Sequence, residues 1–560
     1  MPYLSHLPLW LALAAVPLAL RAADEPNPAQ AEIAPKVAAA RAILDPWLAR
    51  NPVPAQRKVH LILWTPKDRE PAPRYRERLS AIFKDIQGYY AREMTRLGFG
   101  PRTIGLDLAE DGLVRVHLVK GLKDYAAYDV RSGGEIRKEC VPVLEAAGLK
   151  ADEETLVIFC NMSNWDAAAR TISQNSPYYA SGNHRSGTAW QVDSPILDLE
   201  FLPEQGQNVR DGQYGNISLG RYNSIFIGGA AHELGHALGL PHNRERPDER
   251  AAFGTALMGS GNRTYGEERR DESKGSFLTL AHGLRLASHP MFSGSWKDVG
   301  LRRSAQPADL AIRPQGKGFA FSGRVTGEPP VYGVIGYLDP EGGSDYDATT
   351  TTAIPDAEGR FTLDCQALAP GKAAELRVVY LQANGVASGF LSATPYRYPY
   401  TVAADGTADI SAAVARLSPR PADEPAPPAT PAAAAQADLA TTLKTLTGSE
   451  WRLVEMGGAA VATNSLATLS FGEDGNVSGH GGVNRFNGRF TVEAKALKVG
   501  PLMSTRRAGP REAMQLEAGY MAALRGATGL EVEGETLRIP TRSGDKPLKF
   551  VRAKQPPASR

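Results

Sequence analysis

Cysteine is almost missing: Cys140, Cys160 and Cys365 are the three in a chain of 560 residues. That excludes a disulfide scaffold, and an odd number leaves at least one thiol unpaired within the chain. Cys140 and Cys160 fall in one region and can pair in an oxidising compartment; equally, Cys160 sits in an apolar run, 156–160, and can remain a buried thiol. Charge excess is also missing. The chain has 63 basic and 61 acidic residues, net +2, and no long basic run, which argues against a nucleic-acid partner. No apolar stretch is long enough to span a bilayer. The apolar residues 7–20, followed by Leu20-Arg21-Ala22-Ala23, read as a secretory signal over 1–22. Neither lysine nor arginine precedes that run, and no cysteine near the cleavage site suggests a lipid anchor. The protein is expected to be exported, periplasmic or secreted, with no transmembrane segment.

The length exceeds what a single core serves, so a multidomain chain is expected. Residues 23–57 are rich in alanine and proline, and the spacing predicts a helix over 35–45, with Pro46 ending or kinking it. This segment is a propeptide or a brace. Residues 58–300 alternate strands (58–64, 113–119, 154–161) with helices (74–97, 135–147), the pattern of an α/β sheet with parallel pairs. Residues 188–193 read as a further short strand, which can be a buried antiparallel one. A further helix is expected over 276–286. Residues 307–418 change to short alternating runs separated by turns such as Asp339-Pro340-Glu341-Gly342-Gly343, predicting an all-β, immunoglobulin-like sandwich. It would bind substrate or a cell wall, or act as a spacer. Residues 419–440 are a Pro/Ala-rich linker, and 441–553 form a last small domain.

The densest chemistry lies in His232-Glu233-Leu234-Gly235-His236-Ala237-Leu238-Gly239-Leu240-Pro241-His242. Histidines four apart share one helix face, one turn from each other. Gly239 can take the left-handed conformation that ends a helix, Pro241 discourages its resumption, and His242 returns from outside it. Three neutral imidazoles with an open fourth position describe a catalytic zinc site. His184, His282 and His289 are not expected to be ligands.

This run resembles the long zinc signature of the metzincin metallopeptidases, HExxHxxGxxH. The resemblance implies a Met-turn beneath the metal, and Ala256-Leu257-Met258-Gly259-Ser260-Gly261-Asn262 fits it through Met258. It also implies an α/β metzincin-like domain over 58–300 that hydrolyses protein or peptide substrates, with 188–193 as the sheet edge that lines the cleft and holds an extended peptide. One catalytic Zn2+ would sit on His232, His236 and His242, with Glu233 as general base. Nothing indicates structural Ca2+. In some members a tyrosine beyond the Met-turn binds zinc or stabilises the oxyanion. Tyr265 stands for that role at a longer spacing, with a packing tyrosine as the alternative. The segments Gly481-Gly482-Val483-Asn484-Arg485-Phe486 and Ser504-Thr505-Arg506 resemble the META domain of HslJ-type bacterial envelope proteins, implying a small α+β domain. Val483 and Gly509 stand where that family often has a cysteine pair. Two rival functions remain: a non-catalytic envelope scaffold on a degenerate peptidase fold, and a zinc amidase for a non-protein substrate.

Overall fold

The computed structural model describes residues 27–417, apart from 302, 343–344 and 390–395, and most of 446–552. The expected signal at 1–22, the linker at 419–440 and Gly509 lie outside the described residues. Two units are resolved, divided after Leu417.

In the first unit, strand β1 (Val59–Thr65) is buried at every position because it pairs in parallel on both sides, with β2 (Val116–Lys120) and β3 (Thr155–Cys160). A strand covered on both faces needs a continuous apolar run, and VHLILWT supplies it. Its side chains alternate. Leu61 and Leu63 point to the main core with α3 (Tyr75–Leu97), whereas Ile62 and Trp64 point to a smaller cluster with α4 (Gly133–Ala146). Cys140 and Cys160 both sit in that smaller cluster as buried thiols.

The sheet order is β2-β1-β3-β7-β6, with β6 (Tyr179–Gly182) antiparallel to β7 (Gly187–Val192). The strand expected over 188–193 is therefore not the sheet edge. It lies inside the sheet, parallel to β3, because β6 folds back along its free side. A separate four-stranded sheet, β4 (Ser163–Asp166), β5 (Thr171–Gln174), β8 (Asn208–Asp211) and β9 (Gly215–Ser218), precedes the long helix α5 (Leu219–Ala237).

Helix α2 (Ile33–Ala49) continues through Pro46 and inserts Ile33, Val37, Ala40, Leu44 and Trp47 into the main core. Its buried face is part of the same core as the α/β sheet. The helix expected over 276–286 begins later, at Leu280, because Thr279 caps it, accepting the His282 N–H, while Ser276–Phe277 pair as a short strand with Thr255–Ala256.

The described residues of 306–417 form two antiparallel sheets and a short helix, Ser411–Leu417. One sheet is β12 (Gln306–Gln315), β13 (Gly318–Thr326) and β16 (Arg360–Cys365); the other is built on β14 (Val331–Pro340), β15 (Thr349–Ala353), β17 (Ala373–Gln382) and β19 (Arg397–Val402). Phe319, Phe321 and Leu363 of the first meet Val334, Leu376 and Tyr380 of the second, so the two sheets share one core. They are not a detached spacer: Tyr332, Ile335, Tyr337, Val379 and Leu381 join the main core of the α/β region. Tyr332 donates to the Leu284 carbonyl and bonds Ser288 Oγ at 3.0 Å.

The second unit is an antiparallel sheet whose strands Glu450–Met456 and Leu548–Arg552 lie side by side at its centre. The helix Arg511–Arg525 contributes Tyr520, Met521 and Leu524 to a core with Trp451, Leu453, Phe486 and Phe550.

Candidate metal centre

Helix α5 starts at Ser218, whose hydroxyl accepts the Arg221 N–H at 3.1 Å. Nearly every residue along it is buried, including Ile225, Phe226, Ile227, Ala230, Leu234 and Ala237. A helix packed on all sides has little freedom to turn or slide, so the side chains at its last turn are held firmly. The helix ends as the sequence predicts. Gly239 adopts φ +84°, a left-handed value that suits glycine. The Leu240 N–H then returns to the Gly235 carbonyl at 2.9 Å, and the chain turns back towards the helix.

That turn brings the three histidines together. His236 Nε2 lies 3.1 Å from His232 Nε2 and 3.0 Å from His242 Nε2. Ligands about 2.0–2.1 Å from a tetrahedral metal are about 3.3 Å apart, so the three nitrogens are spaced as one ligand set. The opposite ring edges are tied down. His232 Nδ1 donates to the Leu257 carbonyl at 2.7 Å and His236 Nδ1 to the Leu240 carbonyl at 2.8 Å. A carbonyl can only accept, so each Nδ1 carries the proton and each Nε2 presents its lone pair. Burial pushes His232 down to about 3 and His242 to about 4, with His236 adding to both, and burial also lowers His236. All three are neutral at neutral pH, the state a metal requires.

Glu233 is 7 % exposed, and burial raises its carboxyl to about 8. A cation on the neighbouring nitrogens opposes that shift, because positive charge favours the carboxylate. Met258 is fully buried, and its sulfur lies against Gly235, one position before His236. The turn carrying it also supplies the Leu257 carbonyl to His232.

Tyr265 is not at this site. It is 2 % exposed, its hydroxyl donates to Asp85 Oδ2 at 2.6 Å, and its ring packs on Tyr89. These contacts are the ones the packing alternative calls for, and they leave the Tyr265 hydroxyl engaged with Asp85. His184 bonds the Val299 carbonyl at 3.2 Å, and His282 and His289 are buried outside the three-histidine group.

A tyrosine that sequence reasoning passed over does reach the site. Tyr346, in the turn between β14 and β15, stacks on His242 with ring centroids 3.6 Å apart. No local pattern announces it, since its neighbour in space is about a hundred positions earlier in the chain. Tyr178 was also passed over; it packs its hydroxyl against Gly229 of α5.

His60, Asp107 and His117 also offer ligand atoms within 4.8 Å of one another. Lys58 and Arg115 already pair with Asp107, at 2.8 and 3.1 Å, so that group carries its own cations. A cleft of about 1100 Å³ opens between Arg69, Asn161, Trp165, Asp166 and Asp211. None of the three histidines lines it, so the chemistry is located by the histidine geometry and not by cavity size.

No sequence match was found among curated proteins. This chain is similar, over 63 % of its length, to 96 % of catalytically inactive OgpA from Akkermansia muciniphila, solved with an O-glycopeptide (glycodrosocin) substrate; identity is 24 % and the TM-score 0.52. A wild-type OgpA structure covers 64 % and 98 % of the two chains at 24 % identity and TM-score 0.51. At that identity the likeness establishes a shared fold. Residues 444–555 match the META domain, and the C-terminal unit of this chain is therefore a META domain.

Proposed function

We propose that this protein is an exported zinc-dependent endopeptidase. The observation that carries the reading is the convergence of His232, His236 and His242 Nε2 at 3.0–3.1 Å, beside the buried carboxyl of Glu233. Held there, zinc would supply Lewis acidity, activating a water and polarising the scissile carbonyl. Glu233 accepts the proton of the attacking water and passes it to the leaving amine. Met258 and the Leu257 carbonyl support His232 and the helix end from below. The OgpA–O-glycopeptide complex supports a peptide substrate, and O-glycosylated peptides are the first to test.

The experiment is a matched pair of purified proteins, wild type and Glu233→Gln, with zinc quantified in both. Substrates are casein, a quenched-fluorescence peptide library and O-glycopeptides. The expected result is about one zinc per chain in each, with hydrolysis at least about a hundredfold lower in Glu233→Gln. Equal hydrolysis at equal zinc would remove Glu233 from the mechanism. A zinc-loaded wild type that cleaves none of these substrates would favour the scaffold or non-protein amidase readings.

A further inference from the structure

Two of the three histidines have a carbonyl that orients the ring, Leu257 for His232 and Leu240 for His236. His242 differs. Among the described residues its Nδ1 has no hydrogen-bond partner, and what lies against its ring is Tyr346, 3.6 Å between centroids at an interplanar angle of 27°. The Tyr346 ring is also nearly parallel to His232, at 9° and 6.5 Å. Tyr346 is 51 % exposed, so burial alone does not place it.

What places it is the sandwich. Arg377, on β17, draws in Asp339 at the end of β14, Asp345 at 2.5 Å and Glu375 at 3.0 Å, fixing the residue next to Tyr346. On the far side of the turn, the Ala348 carbonyl accepts the backbone N–H of Arg244 at 2.6 Å. Arg246 Nη1 donates to the Thr350 carbonyl at 3.2 Å. Arg244 and Arg246 follow His242 in the chain, so the segment carrying the third histidine is pinned to β15 while its ring is covered by the preceding turn.

We propose that the sandwich completes the histidine cluster, with Tyr346 a positioning residue that holds the His242 imidazole in its ligating orientation. The stack gives His242 the ring orientation, though not the tautomer, that a carbonyl gives each of the other two, and side chains that orient a ligand from outside the site commonly tune metal affinity. The proposal rests on the reading of the three histidines as a zinc site. It does not depend on what is hydrolysed.

The test measures zinc affinity by chelator competition on the full-length protein, with visible spectra of the cobalt-substituted forms. Tyr346→Ala is expected to bind zinc about tenfold or more weakly and to shift the cobalt spectrum. Tyr346→Phe, which keeps the ring, is expected to restore both. Unfolding of the metal-free proteins should coincide, and Tyr346→Leu, which fills the space without a ring, should behave as Tyr346→Ala. Wild-type affinity in Tyr346→Ala, or a Tyr346→Phe as weak as Tyr346→Ala, would overturn the proposal while leaving the zinc site standing. A wild type that takes up no zinc would overturn the zinc site itself, and this proposal with it.

Discussion

The sulfur of Met258 occupies the space that a side chain at residue 235 would need: a Cβ added to Gly235 would come within 2.4 Å of Met258 Sδ. Real Cβ atoms do not approach a neighbour so closely. One wall of the histidine cluster is therefore set by the smallest residue on the helix facing a flexible one beneath it.

Gly235→Ala gains about 1 kcal/mol of helix propensity and loses about 1–3 kcal/mol to overpacking, so it should destabilise the protein by up to about 2 kcal/mol. On a Met258→Ala background, where the sulfur is gone, the same substitution should cost markedly less. Thermal unfolding of the four proteins of the double-mutant cycle measures this. Equal costs on both backgrounds would show that the two residues do not press on each other.

Tyr265→Phe should leave zinc content and hydrolysis within about twofold of wild type. It removes the bond to Asp85 and should lower stability by about 1–2 kcal/mol. A catalytic tyrosine would give the opposite pattern, with hydrolysis falling about a hundredfold at unchanged stability. Steady-state rates and unfolding curves on the same preparation separate the two.

Acid should weaken the fold through His289. Burial holds this imidazole down at about 3, and its Nδ1 accepts the Met291 N–H at 3.2 Å, which a protonated ring cannot do. Unfolded, it titrates near its ordinary value of about 6.5. The unfolded chain therefore binds the proton first, and the stability from keeping His289 neutral is complete above about 6.5 and lost as pH falls from there towards about 3. His289→Asn keeps a helix-capping acceptor without a titrating group, so its stability should fall less over that interval. Denaturant unfolding of both chelator-treated proteins from pH 7 to pH 4 tests this; parallel curves would exclude His289 as a source of the acid sensitivity.

A chain ending at Leu417 should fold, bind zinc and unfold cooperatively. Its core clusters draw on residues 33–413, and that of the META domain draws on 446–550. Metal analysis and calorimetry of the truncated protein against the full chain provide the measurement. Loss of zinc together with loss of a cooperative transition would show that the META domain contributes to the first core.

Much of the histidine cluster was legible in the sequence because what builds it is local. The four-residue spacing of His232 and His236 is a property of one helix turn, and the left-handed Gly239 that returns His242 is a property of a single residue's backbone. The all-buried strand β1 was legible for the same reason, since a run such as Val59-His60-Leu61-Ile62-Leu63-Trp64 leaves no face for water. Where partners distant in the chain decide, sequence reading reaches only as far as alternatives. Whether residues 188–193 form an edge depended on β6 folding back along them. Tyr265 became a packing residue because Asp85, far earlier in the chain, offered it a carboxylate. Tyr346 reached His242 only through the pairing of β14 with β15 and the ion pairs of Arg377. Helix turns and glycine conformations are set within a few residues, so the sequence alone determined the order and spacing of the histidines. Which distant side chains surround them depends on how sheets and loops pack in space, and that the tertiary structure alone decided.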